Sequence, residues 1–265
     1  MQFSNDTVSQ CAVERLGSPV LAYTPHGFLG RRGGTSAGIY AGLNVGLGSD
    51  DEREAILENR KRAADAILPG TPLVTVHQIH SSRVVTVDAD SLTDSRPEAD
   101  AMVTNRPGIL LGILTADCVP VLFADAAAGV IGAAHAGWKG ALSGVTDNVL
   151  IAMEAMGAHR DRIACAVGPC IAQKSYEIDR EFMQRFAADA AENERFFSDG
   201  KSDHFQFDIE GYVANRLATA GVKRVACLGE DTYSQPDRFF SYRRSCHRHE
   251  AGYGRQISII GLAQS

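Results

Sequence analysis

Three residues whose types can do chemistry sit at the ends of apolar, strand-like runs. They are His80 in LVTVHQIHSS, Cys118 in TADCVPVLFAD and His135 in GVIGAAHAGWKG. Thiolate and imidazole suit zinc or copper and are poor ligands for magnesium. A set of two His and one Cys leaves a fourth tetrahedral position for water or substrate, the plan of zinc sites that react. The spacing, 38 then 17 residues, matches no general zinc motif. Taken singly, a buried Cys is more often core packing, and a buried His is more often a satisfied polar group. The same atoms suit a second chemistry, with Cys118 as thiol nucleophile and His135 as its base. The two uses compete, because a thiolate bound to a metal has its lone pair engaged. Asp117, beside Cys118, is a candidate to orient a ligand or move a proton.

The elements that must position these groups can be read from periodicity. Thr115–Gly140 reads as two strands joined by a short turn, with Cys118 entering the first and His135 leaving the second. His80 falls in the connection between the β-rich runs LVTVH and RVVTV. Residues 1 to 19 read as a loose start and VLAYT (Val20 to Thr24) as a short strand. Ser49 and Glu52 form a capping-box pattern ahead of a helix whose Ile56, Ala63, Ala64 and Ile67 share one face. Gly137 to Gly157 reads as one helix, and further helices are expected over Asp179 to Ala190 and from Asp208 to Ala220. NERFFSDGKSDHFQ and residues 230 to 254 read as irregular, and residues 88 to 100 as a polar surface loop. No repeat or linker divides the chain, so residues 1–265 are expected to form one domain. Strands and helices alternate, but hairpin-like joins break the βαβ rhythm, which predicts mixed sheets covered by helices.

The composition narrows the function. The 265 residues carry a net charge of -6, which disfavours nucleic acid as the main partner. No apolar run approaches the roughly 18 residues of a membrane span. No signal-peptide pattern opens the chain, and the six cysteines have no paired spacing, so a cytoplasmic protein with free thiols is expected. The loop HGFLGRRGGTSAGIYAGLNVGLG is glycine-rich and carries Arg31 and Arg32, which suit either a solvated turn or an anion-binding loop. Phosphate-loop, dinucleotide-binding and nucleobase-deaminase signatures are absent.

The motifs HGFLGRRGGTS, AGLNVG, HQIHSS, ADAMVT, LTADCVPVLFAD, GAAHAGWKG, VGPCIAQKSYEI, FFSYRR and GRQISIIGL together resemble the laccase-like, multicopper polyphenol oxidase-type family. That family is now associated with purine nucleoside phosphorylase and adenosine deaminase activity. The resemblance runs nearly end to end. It implies a layered α-β-β-α fold with mixed sheets, similar to certain Cys/His hydrolases. It implies metal ligands at His80, Cys118 and His135, zinc with copper as the alternative, and substrate or phosphate contacts at Arg31, Asn44 and Arg243. Ser81 stands where the family pattern has Gly, a change that narrows the loop and removes no ligand. Several copper centres would need more clustered His than this chain has. The implied reaction is phosphorolysis of purine nucleosides, with deamination of adenosine at the same site. The implied partners are nucleosides and phosphate, in a monomer or weak homo-oligomer. Two rival readings remain. One is a Cys118/His135 hydrolase that edits cytoplasmic peptidoglycan precursors, a role some members are associated with. The other is a non-enzymatic metal-binding protein, for which His77 would be a weak fourth ligand.

Overall fold

The computed structural model describes residues 12–88 and 96–264. Cys11 and most of the polar loop expected over 88 to 100 lie outside the described residues. The strands in chain order are β1 (Arg15–Leu16), β2 (His26–Leu29), β3 (Leu73–Thr75), β4 (Val84–Thr86), β5 (Ala101–Thr104), β6 (Leu110–Thr115), β7 (Val119–Asp125), β8 (Val130–Ala136), β9 (Ala164–Val167), β10 (Glu177–Asp179), β11 (Phe197–Asp199), β12 (His204–Phe207), β13 (Arg224–Cys227) and β14 (Gln256–Gly261). The α-helices are α1 (Arg53–Asp65), α2 (Trp138–Leu142), α3 (Val145–Ala155), α4 (Arg180–Asp189), α5 (Ile209–Thr219) and α6 (Tyr242–His247).

Two mixed sheets lie face to face. One has the order β1-β2-β14-β6-β3 and the other β13-β9-β7-β8-β5-β4. Alternate residues of a strand face opposite sides of its sheet. Leu122 and Ala124 of β7 therefore join Phe28, Leu111, Ile113 and Ile260 of the first sheet in a core between the sheets. Val121 and Phe123 of the same strand face outward, where Val145 and Val149 of α3 and Val213 and Leu217 of α5 cover them. On the far side, Ala63 and Ala64 of α1 pack on Leu29, Leu110 and Ile259. The layers run α-β-β-α, as the resemblance implied. A third sheet, β10-β12-β11, carries an aromatic cluster that includes Phe186, Phe207 and Tyr212.

Several local expectations are corrected. Pro19–Leu21 form a short 3-10 helix where a strand was expected, because Pro19 starts a helical turn readily. The start of the chain is not wholly loose, since Arg15 and Leu16 pair with β2. The Ser49/Glu52 capping box does not form. The Ser49 hydroxyl donates to the Gly46 carbonyl instead, and the N-cap position of α1 is Glu52 without a side-chain cap. The helix expected over Gly137 to Gly157 breaks into α2 and α3 at Gly144, whose φ of 83° lies in the left-handed region. The stretch expected to be irregular after residue 193 contains the hairpin β11-β12, and residues 230 to 254 contain α6. The two later helices form as expected, and Asp179 and Asp208 cap them, accepting from the N–H groups of Phe182 and Gly211.

Candidate metal centre

The β7–β8 hairpin positions two of the three reactive groups. Its register sets Val119 opposite Ala136 and Pro120 opposite His135, so Cys118 arrives beside the end of β8. The third group comes from a crossing between sheets. β3 belongs to the five-stranded sheet and β4 to the six-stranded one, so the turn carrying His80 passes from one to the other. His80 itself adopts φ 61°, a conformation uncommon for a residue with a side chain.

The ligand atoms of His80, Cys118 and His135 all lie within 4.8 Å of one another. The Cys118 Sγ is 3.8 Å from the His80 Nε2, and the two imidazole rings meet edge to face with centroids 4.8 Å apart. Gly137 keeps the space open. A Cβ there would lie 2.7 Å from the His80 Cδ2 and 3.1 Å from the Cys118 Sγ. A soft sulfur and two imidazoles, converging with one side unfilled, fit a tetrahedral metal with an open position.

Asp100 is the residue that sequence reasoning left without a role, although it lies inside the ADAMVT motif. It is fully buried at the start of β5. Its carboxylate is 2.8 Å from the His135 Nδ1. It also accepts the backbone N–H groups of Ile79, His80 and Ser81 and the Ser81 hydroxyl. An acid directly before an apolar run was the available signal, at the end of a stretch read as a polar surface loop. The Ser81 hydroxyl adds a hydrogen bond to this carboxylate beyond that of its backbone N–H. Burial raises the Asp100 pKa, but His135 and Ser81 outweigh it and hold the carboxyl at about 2. Burial also opposes charge on Cys118 and on His135. Their mutual attraction wins, with help from His80 and Asp100, bringing the thiol down to about 6 and the imidazole up to about 9.

Two cavities meet at this group, sharing His80, Ala116, Cys118 and Tyr242. One of about 620 Å³ is lined by Trp138, Tyr176, Phe182 and Arg243. The other, of about 510 Å³, is lined by the Gly46–Gly48 turn, His77, Arg96, His135, Tyr253 and Arg255.

The remaining sequence candidates divide. Arg243 lines the aromatic cavity, with its guanidinium over the Tyr176 ring and donating to the Glu177 carbonyl. Asp117 is buried beside Cys118 with φ 88°. Its carboxylate accepts from the Thr232 and Ser241 hydroxyls and the Arg243 N–H, while burial pushes its pKa up. It ties the Thr232–Arg243 segment to the base of Cys118. Arg31 lines neither cavity. Its donors go to the carbonyls of Ala41 and Pro236, and its guanidinium lies over the Phe240 ring. Asn44 is fully buried and lines neither cavity. Its amide joins Ser49, Asp51, Gly46 and Arg255, so it shapes the cavity wall from behind. His77 is not in the converging group.

The fold and site define a layered, mixed α/β protein with an open His-Cys-His centre that can hold a metal. Residues 25–263 match the family model described as multi-copper polyphenol oxidoreductase laccase, and the chain belongs to that family. It is 40% identical over 249 residues to the purine nucleoside phosphorylase of Deinococcus radiodurans, covering 93% of this chain and 92% of that one. It is 34% identical over 234 residues to the purine nucleoside phosphorylase YfiH of Escherichia coli K12, covering 88% and 91%. Among solved structures, Neisseria meningitidis protein NMB0706 superposes with a TM-score of 0.85 at 31% identity, covering 96% of this chain and all of that one. YlmD from Geobacillus stearothermophilus superposes with a TM-score of 0.84 at 26% identity, covering 96% and 97%. The family's description speaks of several coppers. Among the described residues, no second cluster of three or more His, Cys, Asp or Glu donors accompanies His80, Cys118 and His135. No helix among them is long and apolar enough to cross a membrane.

Proposed function

We propose that this chain is a zinc-dependent purine nucleoside phosphorylase that also deaminates adenosine at the same centre. The observation that carries the reading is the placement of an open His-Cys-His group where an aromatic cavity and a cationic cavity meet. The names of the relatives support the phosphorylase part of it.

The faces of Trp138, Tyr176 and Phe182 suit a flat purine. Cys118, His80 and His135 would hold the metal, which supplies Lewis-acid polarisation and activation of water when bound. Asp100 keeps the His135 Nδ1 occupied, so the Nε2 turns toward the centre. In phosphorolysis a phosphate oxygen bonds to the ribose anomeric carbon as the carbon–nitrogen bond to the purine breaks. The purine leaves with the electron pair and takes up a proton. Glu177, Asp179, His204 and His247 line the same cavity and are the candidates to manage that proton. In deamination, water adds at C6 and ammonia leaves. Asp117 acts by holding the Arg243 segment in place.

A second reading has its own support. Cys118, His135 and Asp100 form a thiol–imidazole–carboxylate chain like that of cysteine hydrolases, which would act on a cell-wall precursor. The convergence of His80 on the same sulfur favours the metal. A closed structural site would need a fourth protein ligand, and none joins the group among the described residues.

The test is product analysis with adenosine, with and without phosphate, before and after zinc stripping. Adenine that requires phosphate, disappears on stripping and returns with zinc is the expected result. Inosine formed without phosphate reports the deaminase. An active metal-free preparation killed by thiol alkylation would overturn the zinc reading in favour of the hydrolase.

A further inference from the structure

Positive charge gathers around the smaller cavity, and among the described residues no acid lines it. The arginines that line it are Arg96 and Arg255. Arg60 stands near Arg96, donating to the Val45 carbonyl and the Thr75 hydroxyl. Burial and the charge of Arg96 pull the Arg60 pKa down to about 10. Among the described residues none of these three arginines makes an ion pair. Thr115 also lines the cavity, is 2% exposed, and its hydroxyl has no hydrogen-bond partner among the described residues. A buried hydroxyl without a partner is rare and points to a ligand that completes it.

The arrangement is built from behind. The Asn44 Oδ1 accepts the backbone N–H of Arg255 at 2.9 Å and that of Gly46 at 3.1 Å, fixing the arginine against the Gly46–Gly48 turn. The Arg255 guanidinium donates to the Tyr253 hydroxyl and lies 4.6 Å from its ring centroid. A Cβ at position 46 would lie 3.1 Å from the Arg255 Nη1, so glycine lets backbone and guanidinium approach each other.

We propose that this cavity is a subsite for a phosphate dianion, held by Arg255 and Arg96, the Thr115 hydroxyl and the Gly46–Gly48 turn. Arginine forks match phosphate oxygens in geometry and charge. The subsite reaches the His80–Cys118–His135 group separately from the aromatic cavity, so phosphate and purine approach the ribose from different cavities. Arg31 and Arg243 then do other work. Arg31 pins its loop to the Ala41 and Pro236 carbonyls, and Arg243 serves the purine side. The role assigned to the phosphate rests on the phosphorolysis reading, whereas the existence of the anion site does not.

The test measures orthophosphate binding to the full chain by calorimetry and, separately, the KM for phosphate and for adenosine. Arg255→Gln and Arg96→Gln are expected to weaken orthophosphate about ten-fold or more, as loss of a charged hydrogen bond does. The KM for phosphate rises with it, while that for adenosine holds. Arg96 is exposed, so its substitution keeps the fold if that of Arg255 does not. Arg243→Gln is expected to raise the adenosine KM and leave phosphate binding unchanged. Equal orthophosphate binding by wild type and both variants overturns the subsite, as does no binding by wild type. Adenosine 5′-monophosphate that binds through Arg255 where orthophosphate does not would assign the cavity to an ester phosphate and overturn the role of free phosphate. Orthophosphate binding lost in Arg255→Gln, in a wild type that releases no base from any purine nucleoside, would keep the subsite and remove the phosphorolysis reading alone.

Discussion

Asp100 and His135 form the joint on which the candidate metal centre turns. The Asp100 Oδ1 lies 2.8 Å from the His135 Nδ1, and the same oxygen accepts the His80 backbone N–H at 2.9 Å. One buried carboxylate thus orients two of the three candidate ligands, although they come from different elements. Such outer carboxylates fix the tautomer and aim of a ligating histidine.

Asp100→Asn is expected to weaken zinc binding by about 10–100-fold while the protein still folds. Competition with a chelator of known affinity measures this. Unchanged affinity in the folded variant would remove Asp100 from the site. Asp100→Ala leaves His135 and three backbone N–H groups without their acceptor, and is expected to cost about 3–5 kcal/mol of stability, read by denaturant unfolding of the zinc-free protein.

The pH dependence of the zinc-free protein follows from the same pair together with Cys118. The folded Asp100 carboxyl, at about 2, lies below its ordinary value of 3.8, so its contribution is present above about 4 and fades as pH falls toward 2. The folded His135, raised to about 9 by Cys118 first and by Asp100 after it, lies above its ordinary 6.5, so its contribution is full below about 6.5 and is lost as pH rises through 9. The Tm difference between zinc-free wild type and Asp100→Asn is expected to be widest between about pH 4 and 6.5 and to narrow on both sides. A difference that does not vary with pH would show that the pair is not ionic.

Gly137→Ala tests the open position. The backbone there has φ -67°, which any residue adopts, so the effect is steric. The new methyl meets the His80 Cδ2 at 2.7 Å and the Cys118 Sγ at 3.1 Å. Activity is expected to fall about 100-fold, since displacements of this size misalign reacting groups, with a Tm close to wild type. Retained kcat with full zinc occupancy would show that the centre has room to spare.

Trp138→Ala tests the proposed purine cavity. Trp138 lines it and packs 5.0 Å from the Phe182 ring, centroid to centroid. Loss of one stacking face is worth about 1–3 kcal/mol per base, so the KM for adenosine is expected to rise at least five-fold with the KM for phosphate unchanged. A parallel rise in both would place the residue in general packing.

The β7–β8 hairpin, and with it the meeting of Cys118 and His135, was legible in the sequence, because apolar alternation and a short turn are local signals that set their own register. The faces of α1, α3 and α5 were legible for the same reason, with Ile56, Val149 and Val213 all buried as their spacing requires. His80 was visible as a residue between two runs. That those runs belong to different sheets, so that its turn crosses between them, depends on tertiary pairing that periodicity does not encode. The roles of the arginines were not legible either. Arg31 sits in a glycine-rich loop that suited an anion, yet the fold closes that loop onto the Pro236 carbonyl, 205 residues away. Arg255 stands just ahead of an apolar run that reads as a strand, yet the Asn44 amide, 211 residues upstream, sets it at a cavity wall. Asp100 belongs to this second group. Its type was plain in the sequence, but its partners come from a hairpin strand and an intersheet turn, and only the packing of the sheets brings them to one carboxylate.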